Sequence, residues 1–455
     1  MGFRERGGDV KDYIKEYNEK LTTPEEAVKV IKSGDWVDYG CLHAYPALLD
    51  RALADRKEEL EDVKVRSLLM HGPLHIVEED PNQEHFTYNS WHMVKFERNL
   101  CDRGLCYFIP MLFRNLPGYY RRFLDVDVAM MAVTPMDEEG YFNFSVNNAT
   151  ARAVLDTAKV IILEINDKLP RLFGKENKVH ISEVDAIVEG NHPDMFEIPS
   201  ASGSEIDELI ANQIVLQMED GACVQLGVGG MPDLIGKKIA ESDLKNLGVH
   251  SELIVNANLD MYKAGKITNS NKTGEMKGKT VGGLVYGTKE LVEWTAENPD
   301  VMICPMDYVN DVNIIRSIDK FTSINSCVGV DLFGQISSES AGTRHISGTG
   351  GQLDFLTGAY DNPTGKSFIC MPSSRVDRKG VRHSNVHATF HGDIITDPRS
   401  QSYQLVTEYG MVNLAGRSTW ERAEMLISVA HPDFREELIQ SAEEMKIWRR
   451  SNKLK

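Results

Sequence analysis

Short runs of Val, Ile, Leu and Met recur between helical stretches along this chain, and that alternation restricts it to a few folds. Val126–Val133 and Val160–Glu164 are almost wholly apolar. Both faces of such strands must be covered, as in a mostly parallel sheet flanked by helices. A first helix is expected from the N-cap Thr23, with Pro24 at its first position and Glu25 and Glu26 in its first turn, to Gly34. Strand Trp36–Tyr39, a helix opened by Pro46, strand Val63–Leu69 and a helix at Ala149–Ala158 continue the β–α–β alternation. An irregular stretch from Gly190 to Gly203 interrupts it, and helix Glu205–Met218, strand Cys223–Leu226 and helix Pro232–Ala240 restart it. Later strands are expected at Val301–Cys304, Val328–Leu332, Phe368–Met371, Asp393–Thr396 and Gln404–Thr407, and a last helix opens at the capping box Ser418 to Glu421. The pattern predicts an α/β protein of two open, mostly parallel α/β domains, 1–200 and 201–455, ending in a basic, frayed tail at Trp448–Lys455.

A chain of 455 residues is too long for a single small module. No apolar run approaches the roughly 18 residues that a membrane span needs. Met1–Asp12 carries no apolar segment of a secretory signal, so a cytoplasmic protein is expected. Seven scattered cysteines predict reduced thiols, and Cys101 and Cys106 have the wrong spacing for a zinc knuckle, so no metal is expected. A net charge of −18 opposes nucleic acid as a partner, and an anionic small ligand would need a local nest of N–H groups or a few basic side chains.

The stretch Val224–Asp233 reads as a strand feeding a glycine turn, with Pro232 preset for a first helical turn. That geometry aims unpaired N–H groups and the positive end of a helix at whatever lies above it. It lacks the Gly-Lys-Ser/Thr of a Walker loop and the third glycine of a dinucleotide fingerprint, and a ligand-free βα turn is the alternative. Glu252 follows in Gly248–Leu253. A carboxylate beside N–H donors can attack an activated acyl group, whereas most acidic side chains simply face solvent. Gly350-Gly351 permits close approach of backbone to a ligand or else forms a surface loop, and Asn325 supplies an amide just ahead of an expected strand. His383, His387 and His391 would align on a helix, but the β-type residues between them and Gly392 after them favour a polar loop over a metal site.

Six ordered segments together resemble the acetyl-CoA hydrolase/transferase family of CoA-transferases, in particular its butyryl-CoA:acetate and 4-hydroxybutyrate CoA-transferases. They are Gly227–Asp233, His250–Glu252, Ser323–Ser326, Gly350–Phe355, Val406–Gly410 and Ala430–Arg435, and Tyr39-Gly40 with Pro46 and Asp137–Tyr141 extend the likeness into the first half. The resemblance implies two CoA-transferase-type domains with the active site between them and Glu252 as nucleophile. Glu252 would pass through an acyl-glutamyl anhydride and a glutamyl-CoA thioester. Gly227, Val228, Gly229, Gly230 and Met231 would line coenzyme A and the developing oxyanion, Gly350 and Gly351 would give a second backbone contact, and Asn325 would partner the glutamyl carbonyl. It implies coenzyme A as substrate and covalent intermediate, no tightly bound cofactor, short-chain carboxylic acids as acceptors and a homodimer or higher homo-oligomer. A hydrolase using the same glutamate with water, or a non-catalytic CoA sensor, are the alternative readings. The chain departs from the family pattern at His383–His391 and at Val376, where a lysine is common, and in the bulky turn Cys41–Tyr45, which is expected to shape the acyl pocket.

Overall fold

The computed structural model describes residues 13–200 and 202–451, so the expectations for Met1–Asp12 and for the last four residues of the tail lie outside the described residues. Two sheets carry the chain. The first has eight strands, in the order Leu21–Thr22, Ala186–Glu189, Val160–Ile165, Val128–Val133, Trp36–Tyr39, Val63–Ser67, Phe86–Ser90 and Tyr107–Phe108, all parallel. Val128–Val133 is buried on both faces: Val128 and Met130 join one apolar core, and Ala129, Met131 and Val133 join the other. Continuous apolar sequence is what a strand between two helical layers requires.

The second sheet has the order Gly248–Val249, Cys223–Leu226, Phe321–Ser326, Lys366–Cys370, Gln404–Thr407 and Gly410–Asn413, parallel except for the last strand. Its centre departs from expectation. Phe321–Ser326 is itself a central strand rather than a lead-in to one, because its polar side chains are satisfied inside the sheet: Ser323 and Asn325 both hydrogen-bond Gln225 on the neighbouring strand. Val301–Ile303 pairs with Thr280–Gly282 outside the main sheet, and Gly329–Asp331 sits in a small sheet with Ile336–Ser337 and Val386–His387. Asp393–Thr396 is not a strand. Side chains take up most of the bonds there, since Asp393 accepts from the Gly342 N–H and the Ile394 N–H donates to Ser340 Oγ, and only the Thr396 N–H reaches a backbone carbonyl, that of Ile336.

Helices end earlier than their apolar patterns suggest. Pro24–Ala27 passes into a 3-10 turn at Val28–Val30, and Glu205–Val215 stops short of Met218. The two sheets meet along a continuous seam. The Phe113 N–H donates to Gly350 O (3.2 Å), the Ala149 N–H to Gly283 O (3.1 Å) and the Met306 N–H to Ala149 O (2.9 Å), while Leu284 and Met306 pack into a core of the first half.

Candidate functional site

A cavity of about 530 Å³ opens along this seam. Leu69, His92, Lys95 and Arg98 reach it from the first half, and Gly227, Glu252, Asn325 and Gly350-Gly351 from the second. Glu252 is placed by a short link between strands Gly248–Val249 and Leu253–Val255, and its carbonyl oxygen accepts from the N–H groups of Gly283 (3.0 Å) and Leu284 (3.2 Å). Ser251 is pinned beside it, its N–H on Val281 O and its hydroxyl on Leu226 O. The backbone of Glu252 therefore has little freedom, and its side chain projects to the start of helix Gln352–Asp361.

Asn310 Nδ2 holds the carboxylate there, donating to Oε2 at 2.8 Å, and the Gly351 backbone lies close against it. Burial pushes the Glu252 carboxyl up to about 8; the Asn310 bond opposes that rise, the nearby Asp354 charge adds to it, and the Gly351 N–H again opposes it. Asp354 is buried on the first turn of the same helix. Burial raises its carboxyl to about 6 against the pull of Arg114, whose Nη1 donates to Oδ1 at 2.6 Å and whose N–H donates to Oδ2 at 3.1 Å. His92 is held neutral by burial, which lowers it to about 4, and its Nδ1 has no hydrogen-bond partner among the described residues. The arrangement is a single carboxylate in a desolvated setting, flanked by N–H donors and open on one side to a cavity. Such a group can act as a nucleophile toward an activated acyl carbon.

The residues singled out in the sequence divide into three groups. Gly227, Val228, Glu252, Asn325, Gly350 and Gly351 line the cavity together. Gly229, Gly230 and Met231 do not line it: the helix begins at Gly230, and the Met231 side chain is buried in the core beneath. The unusual backbone falls on Gly229, with φ of 124°, a conformation that glycine tolerates and other residues rarely adopt. Asn325 does not touch Glu252 by hydrogen bond, because its amide is engaged with Gln225 in both directions, at 3.1 and 3.0 Å, and with Ser323. Finally, His383, His387 and His391 lie on two short strands and a loop around a separate cavity of about 360 Å³, beside Arg375 and Arg382. No group of three His, Cys, Asp or Glu side chains among the described residues is placed to hold a metal ion.

The turn Cys41–Tyr45 also lies elsewhere. Cys41 lines a small closed cavity with Tyr39 and Phe144, and His43 reaches the main cavity only through a stack of rings, Phe196 then His71 then Tyr286. The sequence reading missed Asn310, Asp354 and Arg114. Asp354 was within reach, since it belongs to the segment Gly350–Phe355. Asn310 and Arg114 carry no local pattern.

Comparison with known proteins gives a consistent result. Residues 6–196 match the acetyl-CoA hydrolase/transferase N-terminal domain and residues 287–442 the C-terminal domain of the same family. A butyryl-CoA:acetate CoA-transferase from Anaerostipes caccae is 50% identical over 97% of this chain and 100% of its own length. A probable butyrate:acetyl-CoA coenzyme A-transferase from Syntrophomonas wolfei is 46% identical over 97% of this chain and 99% of its own. The crystal structure of RipA from Yersinia pestis superposes with a TM-score of 0.87 at 35% identity, covering 96% of this chain and all of that one.

Proposed function

Because the chain belongs to the acetyl-CoA hydrolase/transferase family, we propose that it is a CoA-transferase that moves coenzyme A from a short-chain acyl-CoA to a carboxylic acid such as acetate. The observation that carries the reading is the Glu252 carboxylate, bonded by Asn310, set against the Gly351 backbone and facing a cavity between the two halves of the chain. Relatives named as butyryl-CoA:acetate and butyrate:acetyl-CoA transferases support the choice of substrates.

In this reading a Glu252 oxygen attacks the thioester carbonyl, the C–S bond breaks and coenzyme A leaves as thiolate, giving an acyl-glutamyl anhydride. The thiolate then attacks the glutamyl carbonyl carbon and expels the donor's acid, which leaves a glutamyl-CoA thioester. An incoming carboxylate reverses both steps. Each barrier is lower than that of direct exchange between two carboxylates. The Gly227 N–H is already committed to Ile324 O, so of the turn residues that line the cavity Val228 is the one left to offer a backbone N–H. Lys95 and Arg98 supply local positive charge at the cavity of an otherwise acidic chain, suited to a phosphorylated substrate.

Two measurements test the proposal. A substituted-enzyme cycle requires parallel double-reciprocal lines when acyl-CoA and acid are varied together, and intersecting lines would contradict it. The pH dependence follows from the raised Glu252 carboxyl. Only the carboxylate attacks, and its protonated form predominates below about 8. The value of kcat/KM for acyl-CoA should therefore climb about tenfold per pH unit on the acidic side and level off above pH 8. A profile flat from pH 6 to 9 would mean that Glu252 is not the group whose ionisation limits attack.

A further inference from the structure

His383, His387 and His391 surround a cavity of about 360 Å³ that shares no lining residue with the cavity of Glu252. Strand Arg382–Ser384 pairs with Ser374–Val376, which sets Arg375 directly across from His383, and Val386–His387 runs parallel to Gly329–Asp331. Two arginines and three imidazoles thus reach one cavity in a chain whose net charge is −18. Helix Pro432–Glu444 closes it with Phe434 and Leu438, and Glu437 on that helix is the one carboxylate among the described residues that line it.

These basic groups are unequally engaged. Arg382 Nη1 donates to Ser374 Oγ at 2.9 Å, and His383 Nε2 stands 3.0 Å from Asp377 Oδ2. Arg375, His387 and His391 line the cavity without a hydrogen bond or ion pair among the described residues. Donors of one sign gathered without partners repel one another, and an anion placed among them turns that repulsion into attraction. We propose that this cavity is a second binding site, separate from that of coenzyme A, for a small phosphorylated anion, with Arg375 pairing the phosphate and His387 and His391 as further donors. An arginine fork and two imidazoles offer more N–H groups than the two oxygens of a carboxylate can take, and they suit the three terminal oxygens of a phosphate. A strand separates the two cavities: Val328 lines that of Glu252, whereas the next residue, Gly329, lies against the His387 ring on the other side. Lys95 and Arg98 serve the Glu252 cavity, so the second cluster is not needed there.

Binding at such a site depends on pH through the imidazoles. Burial lowers the ionisation of His387; Asp393 and Asp331 oppose that, and Arg375 and His391 add to it. Asp331 is itself occupied by the N–H groups of Phe333 and Gln335, and Asp393 by that of Gly342. Asp377 faces His383, and Glu437 faces the cavity from its helix. A bound anion favours the imidazolium form of His387 and His391. Affinity should therefore rise as pH falls through the ordinary imidazole range, around 6.5, and decline above it.

The experiment titrates the full-length protein with inorganic pyrophosphate by calorimetry, at constant ionic strength and with coenzyme A present in excess, so that the Glu252 cavity is filled. Saturable binding of one pyrophosphate per chain is expected. Arg375→Ala should weaken it about tenfold or more, as the loss of a hydrogen bond between charged partners does, and Glu437→Gln should strengthen it by removing the carboxylate that the anion meets. Both variants should keep the parental melting temperature and KM for acyl-CoA, and opposite changes in affinity are not produced by loss of structure. A parallel series with sulfate, whose charge is constant from pH 6 to 8, should show tighter binding toward pH 6. The site is overturned if no saturable binding occurs with coenzyme A present, if Arg375→Ala binds pyrophosphate as the parent does, or if Arg375→Ala raises KM for acyl-CoA, which would make the cavity part of the coenzyme A site. A flat sulfate series would overturn the part given to His387 and His391.

Discussion

Glu252→Gln should fold as the parent does and transfer coenzyme A at least about 10³-fold more slowly. The amide is nearly isosteric with the carboxyl group, and the side chain packs at a link whose backbone is fixed by Gly283, Leu284 and Val281, so the local structure has no reason to rearrange. The chemical loss is complete, because an amide is too weak a nucleophile to form an anhydride with a thioester. Melting temperature and transfer rate on one preparation check this, and near-parental turnover would exclude Glu252 as the nucleophile.

Gly351→Ala should be almost as damaging, by about 10²-fold or more, for a steric reason. A Cβ at Gly351 would lie 2.1 Å from Glu252 Oε2 and 2.1 Å from Asn310 Nδ2. Those two atoms form the hydrogen bond that sets the carboxylate. The backbone itself, with φ of −103°, accepts alanine without strain, so the fold should survive while the carboxylate is driven off its donors. A folded variant with normal turnover would show that the bond from Asn310 to Glu252 is unimportant.

Much of this was legible in the sequence, and the reason differs by region. Four of the eight parallel strands of the first sheet, Trp36–Tyr39, Val63–Ser67, Val128–Val133 and Val160–Ile165, follow from apolar runs, a local signal of period and composition, whereas Leu21–Thr22, Phe86–Ser90, Tyr107–Phe108 and Ala186–Glu189 are too short or too polar to carry it. Glu252, Gly350 and Gly351 were found as segments and do meet in one cavity. What escaped is the network that holds them. Asn310 meets Glu252 across 58 residues and Arg114 meets Asp354 across 240, so neither pair leaves any spacing to read. Asn325 was misplaced because a strand built from Thr, Ser and Asn lacks the apolar signature, and only its pairing with Gln225 makes it suitable for the centre of a sheet. Asp393–Thr396 failed in the opposite way: the Ile394 N–H goes to the Ser340 hydroxyl, the Asp393 carboxylate takes the Gly342 N–H, and one backbone bond, from Thr396 to Ile336 O, is left where a ladder was expected.

The central claim is that coenzyme A becomes covalently attached to Glu252, and trapping that species tests it most directly. Borohydride reduces a thioester but leaves a free carboxylate untouched. Protein treated with acyl-CoA and then borohydride, digested and analysed by peptide mass, should carry the reduced side chain at Glu252 and nowhere else among its 68 acidic residues, and should lose activity in step with that modification. An unmodified Glu252 peptide from protein that is turning over substrate would contradict the claim and require direct transfer without a glutamyl intermediate.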